Sequence, residues 1–149
     1  VIGAVAIALL ITGGDDGPVA AADAAPRITF DGTSCRYNGP TLIEQGTMEV
    51  TAVNTTTQPV DVGGFLMLES RLAAELERTP LGTDMALTPT DPMPTGDFYL
   101  ITAPAGSEGV GLWPITAGTH IIDCVTYPSA GGAPEHVWRA ASTIEVVAP

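Results

Sequence analysis

Residues 118–124 read GTHIIDC, and the chain continues as VTYPSAGG. Gly118 and Pro128 bound this run, and its β-branched residues are typical of a buried β-strand. The strand that the run predicts ends close to Cys124, and the chain contains one other cysteine, Cys35. The fold and the chemistry of the protein therefore depend on what Cys124 does at the end of this strand.

The chain has 149 residues, which is enough for one domain with a substantial core. It carries 17 acidic residues against five arginines and no lysine, and its net charge is −12. Nucleic acid and anionic membrane surfaces both bind cationic faces of proteins. The charge therefore argues against either of them as a partner.

Several segments alternate apolar and polar residues with the period of two that half-buried strands show. RITF at 27–30 and TMEVTAVN at 47–54 are clear examples, and VDVGGFLMLE at 60–69 predicts a strand with a bulge at its glycine pair. Roughly six to eight short strands separated by turns predict an all-β, antiparallel sandwich or barrel. We expect its core to include five apolar residues: Phe30, Met48, Val50, Ile122 and Ile144.

One segment has helical periodicity instead. SRLAAELER at 70–78 places Leu72 and Leu76 on one helical face, and Ser70 is the expected N-cap. Residues 83–97, which follow, are rich in Pro and show no period. They predict an irregular surface excursion, which either contacts a partner or caps the open end of the sandwich.

The first twelve residues, VIGAVAIALLIT, are apolar and uncharged, but a bilayer-spanning helix needs about 20 such residues. We interpret residues 1–14 as a membrane anchor whose upstream part precedes the sequence, and residues 15–26 as a linker to a domain at 27–149. No Lys or Arg occurs before Arg27, so the positive-inside rule puts the domain on the outer side. A signal-peptide core, an uncleaved or lipidated leader, and a buried helix of a soluble domain are the alternatives.

Four segments occur in order along the chain: ITFDGTSCRYNGP, GTMEVTAVNTTTQP, AGTHIIDC and STIEVV. Together they resemble the cupredoxin-like domains of secreted and membrane-anchored bacterial proteins, in the branch that has lost copper. The resemblance covers residues 27–68 and 110–147, and its most distinctive parts are DGTSC and Y-x-GP. It implies a Greek-key β-sandwich.

Copper can be tested against the sequence by counting ligands. A blue-copper site needs two His, one Cys thiolate and usually an axial Met. In the family the first His follows the Asn that ends the second long strand, but VNTTTQPVDV at 53–62 contains none. Neither His nor Met follows Cys124 in VTYPSAGG, His120 precedes it by about 13 Å of strand, and His136 lies beyond a Gly-rich loop. We therefore expect no metal and no cofactor.

The two cysteines have a simpler expected role. An even cysteine count in a chain exported to an oxidising compartment favours a disulfide between Cys35 and Cys124. Two buried free thiols are one alternative. A redox-active pair is another, which the absence of C-x-x-C spacing weakens.

No catalytic motif is present, so we expect no enzyme activity and no catalytic residues. We expect a non-catalytic interaction module on the periplasmic or outer side of the cytoplasmic membrane, held by a single-pass anchor. Its role would be that of an accessory subunit of a larger integral membrane protein complex, with an electron-transfer complex as a candidate. The alternatives are a cell-surface or filament structural protein and a metal-binding electron carrier.

Two sets of contacts follow from this expectation. Residues 1–14 would contact membrane lipid. Four residues, chosen for flexible or aromatic side chains suited to contact, would bind the partner: Met85, Leu87, Met93 and Trp113. For Trp113 a place in the core is the alternative.

Overall fold

A computed structural model of the chain describes residues 25–88, 98–128 and 132–149. Within these residues it contains eleven strands and one helix. In chain order they are β1 Arg27–Phe30, β2 Cys35–Asn38, β3 Leu42–Glu44, β4 Gly46–Asn54, β5 Val60–Met67, α1 Glu69–Arg78, β6 Asp84–Ala86, β7 Phe98–Ala103, β8 Glu108–Ile115, β9 Gly118–Thr126, β10 His136–Arg139 and β11 Ile144–Val147. The expected anchor at 1–14 lies outside the described residues.

The strands form two sheets. The first sheet has the order β2-β1-β4-β8. The second sheet is built around β9, which pairs with β5 along one edge, and β5 pairs in turn with β7. Along its other edge β9 pairs with β11 in its first half and with β10 in its second half. β3 extends the sheet beyond β11, and β6 extends it beyond β10.

The all-β expectation is confirmed, but a purely antiparallel sandwich is wrong. β1 runs parallel to β4, and β3 runs parallel to β11. Each sheet is therefore mixed, because in each one a strand returns beside a partner that points the same way. The segment HVWRAASTIEVV at 136–147 forms two strands, β10 and β11, which pair with the same side of β9.

The core lies between the two sheets, and strand alternation determines its members. Five residues that the sequence assigns to it are 8 % exposed or less: Phe30, Met48, Val50, Ile122 and Ile144. The phase of the apolar face was therefore predicted correctly for the strands that carry them. Since a slip of one residue would turn a whole strand inside out, this agreement fixes which side of each strand faces the core.

The helix covers part of the outer face of the second sheet. Leu72 and Leu76 of α1 pack against a small cluster of Phe65, Met67 and Ile121 on that face. The N-cap is Leu68, two residues before the predicted Ser70, and it makes no side-chain capping bond. The two predicted leucines hold the helix to the sheet.

Two further expectations need correction. The pairing of β5 with β7 and with β9 runs without interruption through Gly63 and Gly64, so there is no bulge. The glycines are needed for packing instead: a Cβ on Gly64 would lie 2.7 Å from the ring of Trp113. The excursion at 83–97 is not wholly irregular, because Asp84–Ala86 form β6 and pair with β10.

No helix among the described residues is both long and apolar enough to cross a bilayer.

Replacing Val50 with Asp should prevent stable folding. Val50 is fully buried in β4, and a carboxylate there would lose its hydration without gaining a partner. Thermal unfolding followed by circular dichroism measures the effect. Thr47→Asp, at an exposed position of the same strand, is the control and should unfold near the wild-type temperature. A normal cooperative transition for Val50→Asp would show that the packing of β4 is wrong.

Candidate functional site

Cys35 and Cys124 form a disulfide that joins the two sheets. Cys35 opens β2 in the first sheet, and Cys124 lies in β9 of the second. Their Cα atoms are 5.7 Å apart, and the bridge links positions separated by 89 residues. Both residues are buried, at 4 % and 0 % exposed. The predicted disulfide is confirmed. The sulfur of Cys124 is therefore part of a disulfide bond and is not a free thiolate.

Aromatic rings lie on the strands beside the bridge. Phe30 is the cross-strand neighbour of Cys35, and Trp138 is the cross-strand neighbour of Cys124. The two rings contact each other, with their centroids 4.7 Å apart. They therefore make an apolar aromatic pair across the sandwich at the level of the bridge.

The DGTSC motif forms the turn that delivers Cys35 to the bridge. Oδ1 of Asp31 accepts hydrogen bonds from the backbone N–H groups of Thr33 and Ser34 and from both hydroxyls, at 2.9–3.2 Å. Its Oδ2 accepts from Arg36 at 2.7 Å. The hydrogen bonds from Thr33 and Ser34, of which the Thr33 backbone bond contributes most, outweigh the opposing effect of burial and lower the pKa of Asp31 to about 2. The charged carboxylate thus organises the turn before the cysteine.

The Y-x-GP motif has a structural role of the same kind. The hydroxyl of Tyr37 donates to the carbonyl oxygen of Pro40 at 2.8 Å. A Cβ on Gly39 would lie 2.5 Å from that hydroxyl oxygen, so glycine is needed where the ring folds over the chain. Burial raises the pKa of Tyr37 to about 12, which keeps the hydroxyl a hydrogen-bond donor.

Asn54 organises the turn between β4 and β5, where a blue-copper protein would place its first His. Its side-chain amide donates to the carbonyl oxygens of Gln58, Ala103 and Pro104, and its oxygen accepts from the N–H and the hydroxyl of Thr56. The residue is 1 % exposed. The stretch therefore works as a structural turn.

The histidines are bonded elsewhere. Nε2–H of His120 donates to the carbonyl oxygen of Thr116 at 2.8 Å, and its ring stacks on Tyr99 within the buried interior. His136 is hydrogen-bonded through Nε2 to Oδ2 of Asp84 at 2.6 Å. Among residues 25–88, 98–128 and 132–149, no three His, Cys, Asp or Glu side chains converge as metal ligands would.

Copper does not fit this arrangement. Cys124 is the cysteine that a blue-copper centre would use, and its sulfur is already bonded to Cys35. After the Asn54 turn the chain enters the core at Val60, which is 1 % exposed. The side chain of Val60 has no atom that could bind copper. A mononuclear centre of the two-His, one-Cys type therefore lacks its ligands at this end of the sandwich.

The sequence did not predict the buried cluster around Arg139. The guanidinium of Arg139 is 1 % exposed and pairs bidentately with Asp123, with both distances 2.8 Å. It also donates to the carbonyl oxygens of Glu75 and Thr79 at the end of α1 and to the carboxylate of Glu75. These bonds use all five N–H donors of the arginine and fix the end of the helix to β9 and β10.

The charges around Arg139 balance within the cluster. Burial disfavours the charged form of Glu75, but hydrogen bonds from Arg78 and Arg139 outweigh it and hold the pKa of Glu75 below its usual value. Burial raises the pKa of Asp123, and the hydrogen bonds from Arg139 oppose that rise. Arg139 also lines a cavity of about 140 Å³ beside Thr83 and Trp138. Because all five N–H donors of its guanidinium are bonded within the protein, we assign the cluster a structural role. Its signal in the sequence was a single arginine in an otherwise uncharged strand.

The residues predicted to bind a partner are dispersed. Met85 is half-buried in β6, where its sulfur accepts a hydrogen bond from Thr79 at 3.6 Å. Leu87 is half-buried and follows β6, with its backbone N–H bonded to Glu135. Met93 lies outside the described residues. Trp113 is 2 % exposed and packs in the core, so it offers a partner almost no surface, as the alternative interpretation holds.

Two mixed sheets, a parallel β1–β4 pair and a cysteine on the central strand β9 agree with the cupredoxin-like β-sandwich that the sequence motifs predict. No family model matches the chain, and no curated protein does. Among solved structures, the chain is similar to the dithionite-reduced auracyanin of the photosynthetic bacterium Roseiflexus castenholzii. The two are 22 % identical, with a TM-score of 0.44 over 81 % of this chain and 94 % of that chain. A likeness of this size says nothing about copper or activity here.

Replacing Cys35 or Cys124 with Ser should destabilise the domain by about 4 kcal/mol, because the bridge closes a long loop in the unfolded chain. Urea unfolding with and without reductant measures this loss. Thiol labelling of the unfolded, unreduced protein is the companion measurement and should modify no cysteine. Two labelled cysteines would refute the bridge.

Asp31→Asn should lower stability most at pH values above 4. The carboxyl has a pKa of about 2 in the folded state against an ordinary 3.8, so its ionised form stabilises the fold above pH 4, and this contribution is lost as the pH falls towards 2. The difference in unfolding free energy between wild type and variant should therefore shrink from pH 5 to pH 2. Glu49→Gln, which removes an exposed charge, is the control. A difference that stays constant with pH would contradict the role of the charge.

Arg139→Met should cost about 3–5 kcal/mol of stability, because it leaves Asp123 buried without a counter-charge. The double variant Arg139→Met with Asp123→Leu should recover much of the loss, since both buried charges are then gone. Arg36→Met removes the ion pair between Arg36 and Asp31. Because the Arg36 side chain is 61 % exposed, this change should cost about 1 kcal/mol of stability or less. Urea unfolding of the four proteins measures these values, and equal losses at Arg36 and Arg139 would contradict the account.

Proposed function

We propose that the protein is a non-catalytic interaction module, held at the outer side of the cytoplasmic membrane and serving as an accessory subunit of a larger membrane complex. In this proposal the cupredoxin-like sandwich acts as a rigid binding scaffold. Electron transfer in the host complex would be carried by other subunits. The domain itself would supply a stable surface to which the other subunits bind.

The observation that carries the proposal is the bond between Cys35 and Cys124. A blue-copper carrier needs its cysteine as a thiolate. Here the corresponding sulfur closes a buried bridge between the two sheets, and both histidines are hydrogen-bonded away from it. A sandwich that uses its cysteine for stability is suited to presenting surfaces.

The membrane anchor is supported by the sequence alone. VIGAVAIALLIT at residues 1–12 is uncharged, and Asp15 and Asp16 after it would be costly in hydrocarbon. An anchor raises the local concentration of the domain at its host, so the contact between the two can be weak. This makes a small interaction surface sufficient for function.

Self-assembly into a filament is the less favoured alternative because of charge. Each chain carries a net charge of −12, and copies with that charge repel one another when packed closely. A heterologous partner with basic residues would relieve the repulsion. We therefore favour an accessory subunit over a homopolymer.

Membrane fractionation of cells that make the natural full-length protein tests the proposal. The protein should sediment with membranes, resist extraction at alkaline pH and, after mild detergent treatment, migrate in native electrophoresis in a complex larger than its own monomer. A version beginning at residue 25, which lacks the anchor, is the matched control and should be recovered in the soluble fraction. Recovery of the full-length protein in the soluble fraction, or as a detergent-solubilised monomer, would refute the proposal.

A further inference from the structure

The outer face of the first sheet carries apolar side chains along its edge strand β8. Trp113 and Ile115 point into the core, and the alternating residues Val110 and Leu112 point outward. These two outward side chains are 62 % and 66 % exposed. Large exposed aliphatic side chains in a row on one strand are a feature of surfaces that bind other proteins.

Nothing in the described part of the chain covers this face. α1 covers part of the outer face of the second sheet, through its contacts with Phe65, Met67 and Ile121. On the first sheet, Thr51 lies opposite Val110 and Glu49 lies opposite Leu112, and both project from β4 to the same outer side. We call the surface formed by Glu49, Val110 and Leu112 the β8 face.

The charges beside the β8 face are unbalanced. The side chain of Arg27 reaches across β4 and forms an ion pair with Glu108, so the charge of Arg27 is balanced by Glu108. Glu49 has no ion-pair partner among the described residues, although it lies directly beside the exposed Leu112. A partner that covered Leu112 with apolar groups would bring Glu49 to the rim of the contact, where a cation gives specificity and faster association.

We infer that the β8 face is the docking surface for a protein whose contact patch has an apolar centre and Lys or Arg at its rim. A second copy of this chain would bring its own net charge of −12 against Glu49, and an anionic bilayer would likewise repel it. A zwitterionic bilayer offers no compensating cation at a fixed position. A basic-rimmed protein surface satisfies both the exposed leucine and the unpaired carboxylate.

The position of the chain's entry into the domain agrees with this assignment. The carbonyl oxygen of Pro26 accepts a hydrogen bond from the backbone N–H of Thr51, which is the cross-strand partner of Val110. Residue 26 therefore lies two strand spacings, about 10 Å, from the β8 face. This inference rests on the proposed function, because a tether attached here holds the β8 face near whatever surrounds the anchor.

The test uses the full chain in non-ionic detergent and a designed amphipathic helical peptide with Leu on one face and Lys on the other. Fluorescence anisotropy of the labelled peptide gives the dissociation constant. We expect Leu112→Thr to weaken binding about tenfold, as the loss of most of a buried leucine side chain implies. Leu42→Thr, which changes a leucine of matched exposure (65 %) on β3 of the second sheet, should leave it unchanged.

Charge is tested in the same assay. Glu49→Gln should weaken binding of the Leu/Lys peptide and reduce its dependence on salt, because one screened ion pair is lost. A peptide with Glu in place of Lys should bind at least tenfold more weakly to the wild type. All variants must retain the wild-type melting temperature, which the exposed positions of these side chains lead us to expect.

Several results would overturn the inference. Equal binding by wild type and Leu112→Thr would show that the β8 face is not the site, and equal binding of the Lys and Glu peptides would exclude a basic partner. A dimer in sedimentation that Leu112→Thr abolishes would make a second copy the occupant. Leu112-dependent binding to phosphatidylcholine vesicles would make it lipid. Leu112→Thr should still fractionate with membranes, so loss of the anchor and loss of docking are separate outcomes.

Discussion

The Cys35–Cys124 bridge is the constraint around which the rest of the domain is arranged. It ties the first sheet to the second at the strand pairs β1–β2 and β9–β10, where Phe30 and Trp138 also meet. The turn held by Asp31 places Cys35, and the central strand of the second sheet places Cys124. The same bond uses the sulfur that a blue-copper centre would need as a thiolate.

The cluster around Arg139 holds helix α1, which the resemblance to cupredoxin-like domains does not cover. Arg139 joins the end of α1 to β9 and β10 through five hydrogen bonds, and these bonds hold the helix against the second sheet. The helix packs on part of the outer face of the second sheet, and on the outer face of the first sheet Val110 and Leu112 remain exposed.

The sequence predicted the features that depend on local pattern. Alternation identified β4 and the direction in which Val50 faces, β-branched residues between Gly118 and Pro128 identified β9, and cysteine parity identified the disulfide. It did not identify β8, because Gly109, Gly111 and Pro114 interrupt the pattern of EGVGLWPI. The structure explains the glycines: a Cβ on Gly111 would lie 2.7 Å from Ile101 of β7. The cluster of Arg139 was also missed, because its partners Glu75 and Asp123 are 64 and 16 residues away in sequence.

The central claim is that the cysteine of β9 is a structural half-cystine in a domain that does not use copper. The most direct measurement is a titration of the purified, oxidised protein with Cu(II), followed by visible absorption and by metal content after gel filtration. The account predicts no thiolate-to-copper charge-transfer band and no copper retained in proportion to protein. One copper per chain with an intense visible band, arising without prior reduction, would contradict it.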